Sequence, residues 1–298
     1  GFWSRGLAGT LNADENSQQV LSDSGLASSA DSAFREQAVT SGGVTIMPGT
    51  VITDGTVAYI SFIIEGYDYD LEDGERPVFA DMKDNPSVNI TGSDGDAFIP
   101  AHIDNGHFYQ DKAGRYSDEN GNMEYIMRIM TAEGTVPQEE WEIAEDLFDA
   151  VVHVEFSNLC TAGSKEEFAA VETTARAEDA DSQAPSWNMV EGHWAFDVVL
   201  PDKEKAASMT SRFELKTQIE GSSMEIEQAV LTPISVKLEY VAESERNPRG
   251  AANALHLSGI RMKDGTMIAN DNVEQPVILE TAPGVKTELF PLQMIIDP

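Results

Sequence analysis

The chain has 298 residues, 52 of them acidic and 19 basic, for a formal net charge of −33 and a pI near 4.2. It therefore lacks the basic footprint that nucleic acid or an anionic lipid surface demands. At 41% hydrophobic it is also too apolar for an acidic disordered tail, and it is long enough for two ordinary domains.

The first predicted element is a helix. Asn12-Ala13-Asp14-Glu15 reads as a capping box, with Asn12 as the cap and Glu15 reaching back three residues. Gly25 supplies a left-handed stop. Only Val20 and Leu21 are strongly apolar in this helix, so it needs something to dock on. Ser24 to Ser41 is small and polar and reads as extended.

From Gly43 the apolar period changes to two. Asp54-Gly55 divides the runs and predicts a β-hairpin over Val44–Glu65. Further strands are predicted at Pro77–Met82, Ser87–Thr91, Met123–Met130, Val151–Leu159, Phe168–Thr174 and His193–Leu200, with a turn at Asn120-Gly121-Asn122. Trp141, Ala144, Leu147 and Phe148 share one face of a short helix expected at Pro137–Phe148.

The charge then changes. Up to Glu204 there are 39 acidic and 10 basic residues, a net of −29; from Lys205 onward there are 13 and 9, a net of −4. Together with the polar stretch from Pro201 to Ser208, this marks a domain boundary. Beyond it, Phe213, Leu215, Thr217 and Ile219 alternate with polar residues, as do Met224 and Ile226, and Ile234, Val236, Leu238 and Tyr240. Strands at Leu255–Met262, Met267–Ile268, Val277–Leu279 and Thr287–Ile296 follow, with turns at Asp264-Gly265 and Pro283-Gly284. About seven short strands in about 90 residues is an immunoglobulin-like pattern. The expected fold is mainly β, with two consecutive β-sandwich domains, a short N-terminal helix and one short helix in the first domain. The expected division is 1–38 for helix and linker, 39–204 for an acidic sandwich and 205–298 for an immunoglobulin-like sandwich.

Chemistry is sparse. The best metal candidate is the acidic loop containing Asp68, Asp70, Glu72 and Asp73, whose hard oxygens suit Ca²⁺. It fails the EF-hand pattern, since Asp73 stands where glycine belongs and Phe79 where glutamate belongs, so it reads first as a solvated loop. Asp118-Glu119-Asn120-Gly121 and Ser93-Asp94-Gly95-Asp96 read as turns. His102 and His107 fall in a predicted loop without the spacing of a zinc site, and His153 and His193 fall in strands. There is no Gly-x-Ser-x-Gly and no phosphate-binding glycine loop, so no catalytic residue, cofactor or enzyme activity is expected. Cys160 is the single cysteine, which excludes an intrachain disulfide, and it reads as a buried small hydrophobe. Among the tryptophans, Trp3, Trp141, Trp187 and Trp194, the last alternates with Phe196 and Val198 and belongs in a core. Trp187, after an acidic stretch, is the candidate for an exposed ligand-binding aromatic. The longest apolar run, Val57 to Ile64, is strand length, far short of a membrane span.

Two segments carry a family resemblance: Ser4-Arg5-Gly6-Leu7-Ala8-Gly9-Thr10-Leu11-Asn12-Ala13-Asp14-Glu15 through Leu26, and Val39-Thr40-Ser41-Gly42-Gly43-Val44-Thr45-Ile46 through Tyr67. Gly192-His193-Trp194-Ala195-Phe196 and Gly259-Ile260-Arg261-Met262-Lys263-Asp264-Gly265 add to it. The chain thereby resembles the extracytoplasmic part of a family of Firmicutes membrane proteins, anti-sigma-factor-like, with a domain of unknown function and a C-terminal immunoglobulin-like domain. The resemblance implies a cell-surface location, an N-terminal transmembrane helix ahead of Gly1, and a sigma factor as partner through a cytoplasmic segment outside this chain. It also implies signal release by regulated proteolysis, with a protease or a cell-wall component as a further expected partner. The expected function is thus a non-enzymatic sensor or interaction region of a membrane-anchored regulator; the alternative is a surface protein that binds carbohydrate or cell wall.

Overall fold

The computed structural model describes residues 3–28, 36–68, 75–80, 86–93, 95, 101–131, 146–163, 186–206, 209–218, 224–242, 257–269, 273, 277–282 and 285–296. It is mainly β, built from several antiparallel sheets in a sandwich-like arrangement.

The chain opens with two helices, α1 (Arg5–Thr10) and α2 (Glu15–Asp23), where one was expected. The cap of α2 is Asp14, whose side chain accepts from the Ser17 N–H, and not Asn12. Asn12 is spent in leaving α1: its φ is +46°, which asparagine tolerates, and its Nδ2 donates to the Gln293 carbonyl at 2.9 Å. Gly25 takes positive φ after α2, as expected.

The first sheet contains β1 (Ala27–Ser28), β2 (Val39–Ser41), β3 (Val44–Thr53), β4 (Val57–Glu65), β7 (Ala101–Phe108) and β8 (Met123–Thr131), in the order β1-β3-β4-β8-β7 with β2 also pairing β3. The β3–β4 hairpin turns at Asp54-Gly55, as its sequence demands. Pro48, lacking an N–H, sits at a register shift between Pro48 and Val51. β7 corrects an expectation. His102 and His107 lie on a strand paired to β8, not in a loop, and the ladder shifts register between Ile103 and Asn105 to pass Asp104.

The second sheet holds β5 (Arg76–Phe79), β6 (Ser87–Thr91), β9 (Val151–Ala162) and β10 (Ser186–Val199). β10 covers one side of β9, while β5 and β6 share the other. The two sheets enclose a core that includes Ile46, Ile60, Phe62, Met127, Val154, Phe156, Trp194 and Phe196. At its centre Phe62, Phe79, Phe108, Tyr125, Phe156 and Phe196 pack with neighbouring ring centroids 4.5 to 6.2 Å apart. Trp194 is fully buried and donates through Nε1 to the Val44 carbonyl at 3.0 Å, stapling one sheet to the other.

After α3 (Lys203–Ala206) comes a five-stranded sheet of β11 (Ser211–Gln218), β12 (Met224–Leu231), β13 (Ser235–Ala242), β16 (Val277–Ala282) and β17 (Val285–Pro291), ordered β11-β12-β13-β17-β16. The hairpin of β14 (Gly259–Arg261) and β15 (Met267–Ala269) packs with it around Val236, Ile268, Phe290, Leu292 and Ile296. The expected strand at Phe168–Thr174, and Trp141 and Ala144 of the expected helix, lie outside the described residues. Leu147 and Phe148 are described in a turn, with Leu147 fully buried.

A third apolar cluster explains why β3 is buried along nearly its whole length. Trp3, Leu7, Leu11, Leu21 and Leu26 of the helical segment meet Ile52, Tyr59, Ile126 and Met130 of the first sheet, together with Ile234 of the β12–β13 turn and Leu289 of β17. The helix pair is therefore a structural layer. It docks by specific polar contacts as well. The Glu124 carboxylate accepts from the Gly6 and Leu7 N–H groups at 2.5 and 3.1 Å, and Ser4 bonds Thr50 and Ser61 beside the Pro48 irregularity. Gly6 and Gly9 make this approach possible, since a Cβ on either would collide with Glu124 or Tyr109. Among the described residues, no helix is long and apolar enough to cross a membrane.

Candidate interaction surface

Strict alternation on β9 and β10 sends Val152, Val154, Phe156, Trp194, Phe196 and Val198 into the core, and His153, Glu155, His193, Ala195 and Asp197 outward. The pairing then decides which outward residues meet. His153 stands across from Asn89 of β6 on one side and Asp197 of β10 on the other. Its Nδ1 lies 2.5 Å from Asp197 Oδ1, and its Nε2 lies 3.1 Å from the Thr91 hydroxyl. One position along, His193 Nε2 lies 3.3 Å from Glu155 Oε2. Ser87, Asn89, His153, Glu155, Ala195 and Asp197 line an open groove of about 380 Å³.

The line Thr91–His153–Asp197 places a hydroxyl, an imidazole and a carboxylate in relay order, and its chemistry can be weighed. Nucleophilic acyl transfer also needs donors aimed at the oxyanion. The β9 amides beside this line lie between β6 and β10, which pair with β9 on its two sides. Among the described residues the face sets two carboxylates, two imidazoles, two hydroxyls and an amide side by side.

The predicted site residues fall elsewhere. Asp68 is exposed after β4, whereas Asp70, Glu72 and Asp73 lie outside the described residues. Among the described residues no group of three or more His, Cys, Asp or Glu side chains is placed to hold a metal ion. Trp187 belongs to β10 by its backbone, opposite Thr161, and its side chain lies outside what is described. Asp118 accepts from the Asn120 and Asn122 N–H groups, which makes it a turn residue as expected. Cys160 is 1% exposed and burial pushes its thiol up to about 11, as a core residue requires. Sequence reading missed the His153 line because residues 91, 153 and 197 become neighbours only through strand pairing. Its visible signal was the outward-facing His-x-Glu in β9 and His-x-Ala-x-Asp in β10.

A second groove, of about 520 Å³, runs between the α1–α2 junction and the segment after β7, lined by Gly9, Asn12, Asp14, Tyr109, Gln110 and Lys112. Its walls are structural: Asp14 caps α2, Asn12 ties to Gln293, and the Tyr109 ring lies against Gly9 with the Arg5 guanidinium 5.3 Å from its centroid.

No family model matches the chain, and no curated protein matches it. Among solved structures, the chain is similar to the conserved domain protein from Bacillus anthracis, at 12% identity and a TM-score of 0.46, over 89% of this chain and 76% of that one. A likeness at that level carries no functional inference.

Proposed function

We propose that the chain is a non-enzymatic sensor and interaction region, the extracytoplasmic part of a membrane-anchored anti-sigma-type regulator. The regulatory half of this reading rests on the resemblance of residues 4–26 and 39–67. The structural observation that supports it is the docking of residues 3–28. In such a regulator the N-terminal segment faces the membrane anchor and must feel what happens to the outer domains. Here Trp3, Leu7, Leu11 and Leu21 pack against the first sheet and, in the same cluster, against Ile234 of the β12–β13 turn and Leu289 of β17 in the five-stranded sheet. A segment held by both sheets is a suitable conductor of a mechanical or conformational signal.

The sigma factor would be held on the cytoplasmic side, and release would follow cleavage or displacement once the outer domains engage a partner. Deleting the full-length gene should raise transcription from the promoters of the cognate sigma factor; an unchanged transcriptome sinks the regulatory reading. Replacing Leu7 and Leu11 with Asp, which undocks α1, should mimic the signal in the full-length protein and raise the same promoters.

A further inference from the structure

Among the described residues β10 is the outer strand of its sheet, and one stretch of its outer edge pairs with no other strand. The Leu200 N–H donates to the Ala150 carbonyl at 2.9 Å, so residues 194, 196 and 198 turn their backbone groups towards β9. Residues 193, 195, 197 and 199 turn theirs outward. The His193 N–H is taken by the Ser41 hydroxyl at 3.1 Å, where β2 approaches this edge. Beyond that point, over Ala195–Val199, the outward N–H and C=O groups meet no hydrogen-bonding partner among the described residues.

Proteins blunt an exposed edge with proline, lysine or a bulge. The register shifts of β10 fall between Trp187 and His193, whereas pairing runs unbroken from His193–Ser157 to Val199–Val151. The open part is thus regular, about 17 Å long at the usual strand rise, and free of proline and lysine.

We propose that the edge Ala195–Val199 of β10 takes up an extended peptide as an added strand, and that this peptide carries basic residues at alternate positions with an apolar residue opposite Val199. Main-chain pairing supplies the affinity in this mode, and alternate side chains supply the selection. On the outward face Asp197 and Glu155 keep 73% and 62% of their side-chain surface exposed, beside His153 and His193. A Lys or Arg across from Asp197 meets carboxylate charge on a region whose net charge is −29. Val199, 58% exposed, offers the apolar end of the same row. A second copy of this chain fits poorly: antiparallel pairing centred on this edge sets Asp197 against Asp197, between molecules that each carry −33. The inference deepens the interaction part of the reading above and is tested in vitro. Its failure leaves the promoter experiment standing, and the failure of that experiment leaves the edge standing.

The probe is a capped Lys–Val octapeptide with Val at its second position, Lys at its fourth and sixth and Thr elsewhere, so that in antiparallel pairing Val meets Val199 when Lys meets Asp197; a Glu–Val peptide, with Glu in place of Lys, is the control, and each is titrated into the labelled protein. The Lys–Val peptide should shift the amide signals of Ala195, Asp197 and Val199 and slow their hydrogen exchange, with affinity falling as salt rises. Val199→Pro removes an outward N–H that no ladder bond uses, so the melting temperature should hold while affinity falls at least about tenfold. Asp197→Lys should weaken binding while its amide spectrum stays folded. Absence of shifts at these amides at millimolar peptide overturns the proposal, as does equal binding of the Glu–Val control. So does unchanged affinity in a folded Val199→Pro variant. Sedimentation showing a wild-type dimer that Val199→Pro converts to monomer assigns the edge to a second copy, and overturns the peptide reading as well.

Discussion

Glu124 carries two roles in one side chain: it is a buried charge and the acceptor for the first turn of α1. Burial holds its carboxyl above the usual range, an effect only partly offset by hydrogen bonds from Ser4, Gly6 and Leu7. The folded value therefore lies above the unfolded one, and the folded state binds the proton more tightly. The stability from this group is fully present below its ordinary value of 4.5 and is lost as pH rises through the folded value. Glu124→Gln does not titrate, and its amide turns an N–H donor towards Gly6 or Leu7. It should cost about 1–2 kcal/mol in urea denaturation at neutral pH. The gap to wild type should widen on moving to mildly acidic buffer; a gap that narrows would refute the assignment. Cys160 gives a simpler test. With its thiol at 1% exposure and pushed up to about 11, it should react with an aromatic disulfide reagent only in denaturant. Prompt reaction of the native protein would show that β9 opens.

At the scale of elements, the strands that alternate cleanly were legible. β3, β4, β6, β8, β9, β12 and β13 lie where period-two runs bounded by turn residues put them. Two elements and one cap were misread, each for a physical reason. α1 carries Gly6 and Gly9 in six residues, which reads as a poor helix; the glycines are there because Glu124 and Tyr109 approach too closely for a side chain. β7 contains Asp104-Asn105-Gly106, a turn signal that pairing with β8 overrides by shifting register. The cap of α2 moved from Asn12 to Asp14 because leaving α1 requires positive φ, which Asn12 supplies. Trp194, by contrast, was placed in the core by its alternation alone, although its tie to Val44 was not visible. Trp194→Phe keeps most of the apolar contact but strands the Val44 carbonyl and leaves a small void. It should cost about 1–3 kcal/mol in chemical denaturation; a value near zero would mean the bond between the sheets carries no load.

At the scale of the whole molecule, Asp54 shows how one turn residue joins distant parts of the chain. Its Oδ1 accepts from the Thr56 and Val57 N–H groups and closes the β3–β4 hairpin. Its Oδ2 accepts from the hydroxyls of Thr232, at 2.7 Å, and Ser235. Asp54→Ala strips acceptors from four donors and should cost about 2–4 kcal/mol. It should also split a single calorimetric transition into two, as the parts before and after α3 lose a buried polar contact and keep only the exposed Asn12–Gln293 bond among the polar ties described above. Asp54→Asn keeps an oxygen for the turn and an amide to which the two hydroxyls can adapt, so it should retain the single transition. Two transitions in the Asn variant, or one in the Ala variant, would count against Asp54 as the coupling point.

Legible from the chain alone were the β character, the inward and outward faces of β9 and β10, the principal turns, the buried thiol and the excess of negative charge before Lys205. Each is set by local spacing or by composition, which survive without knowledge of neighbours. Strand pairing and packing set the rest: that residues 3–28 form a packed layer, that Thr91, His153 and Asp197 fall in line, and that among the described residues one edge of β10 is left without a paired strand. Those outcomes depend on which strand lies beside which, and on which apolar surfaces remain uncovered once the first sandwich has closed. Pairing partners are chosen across tens to hundreds of residues, and no local period encodes that choice.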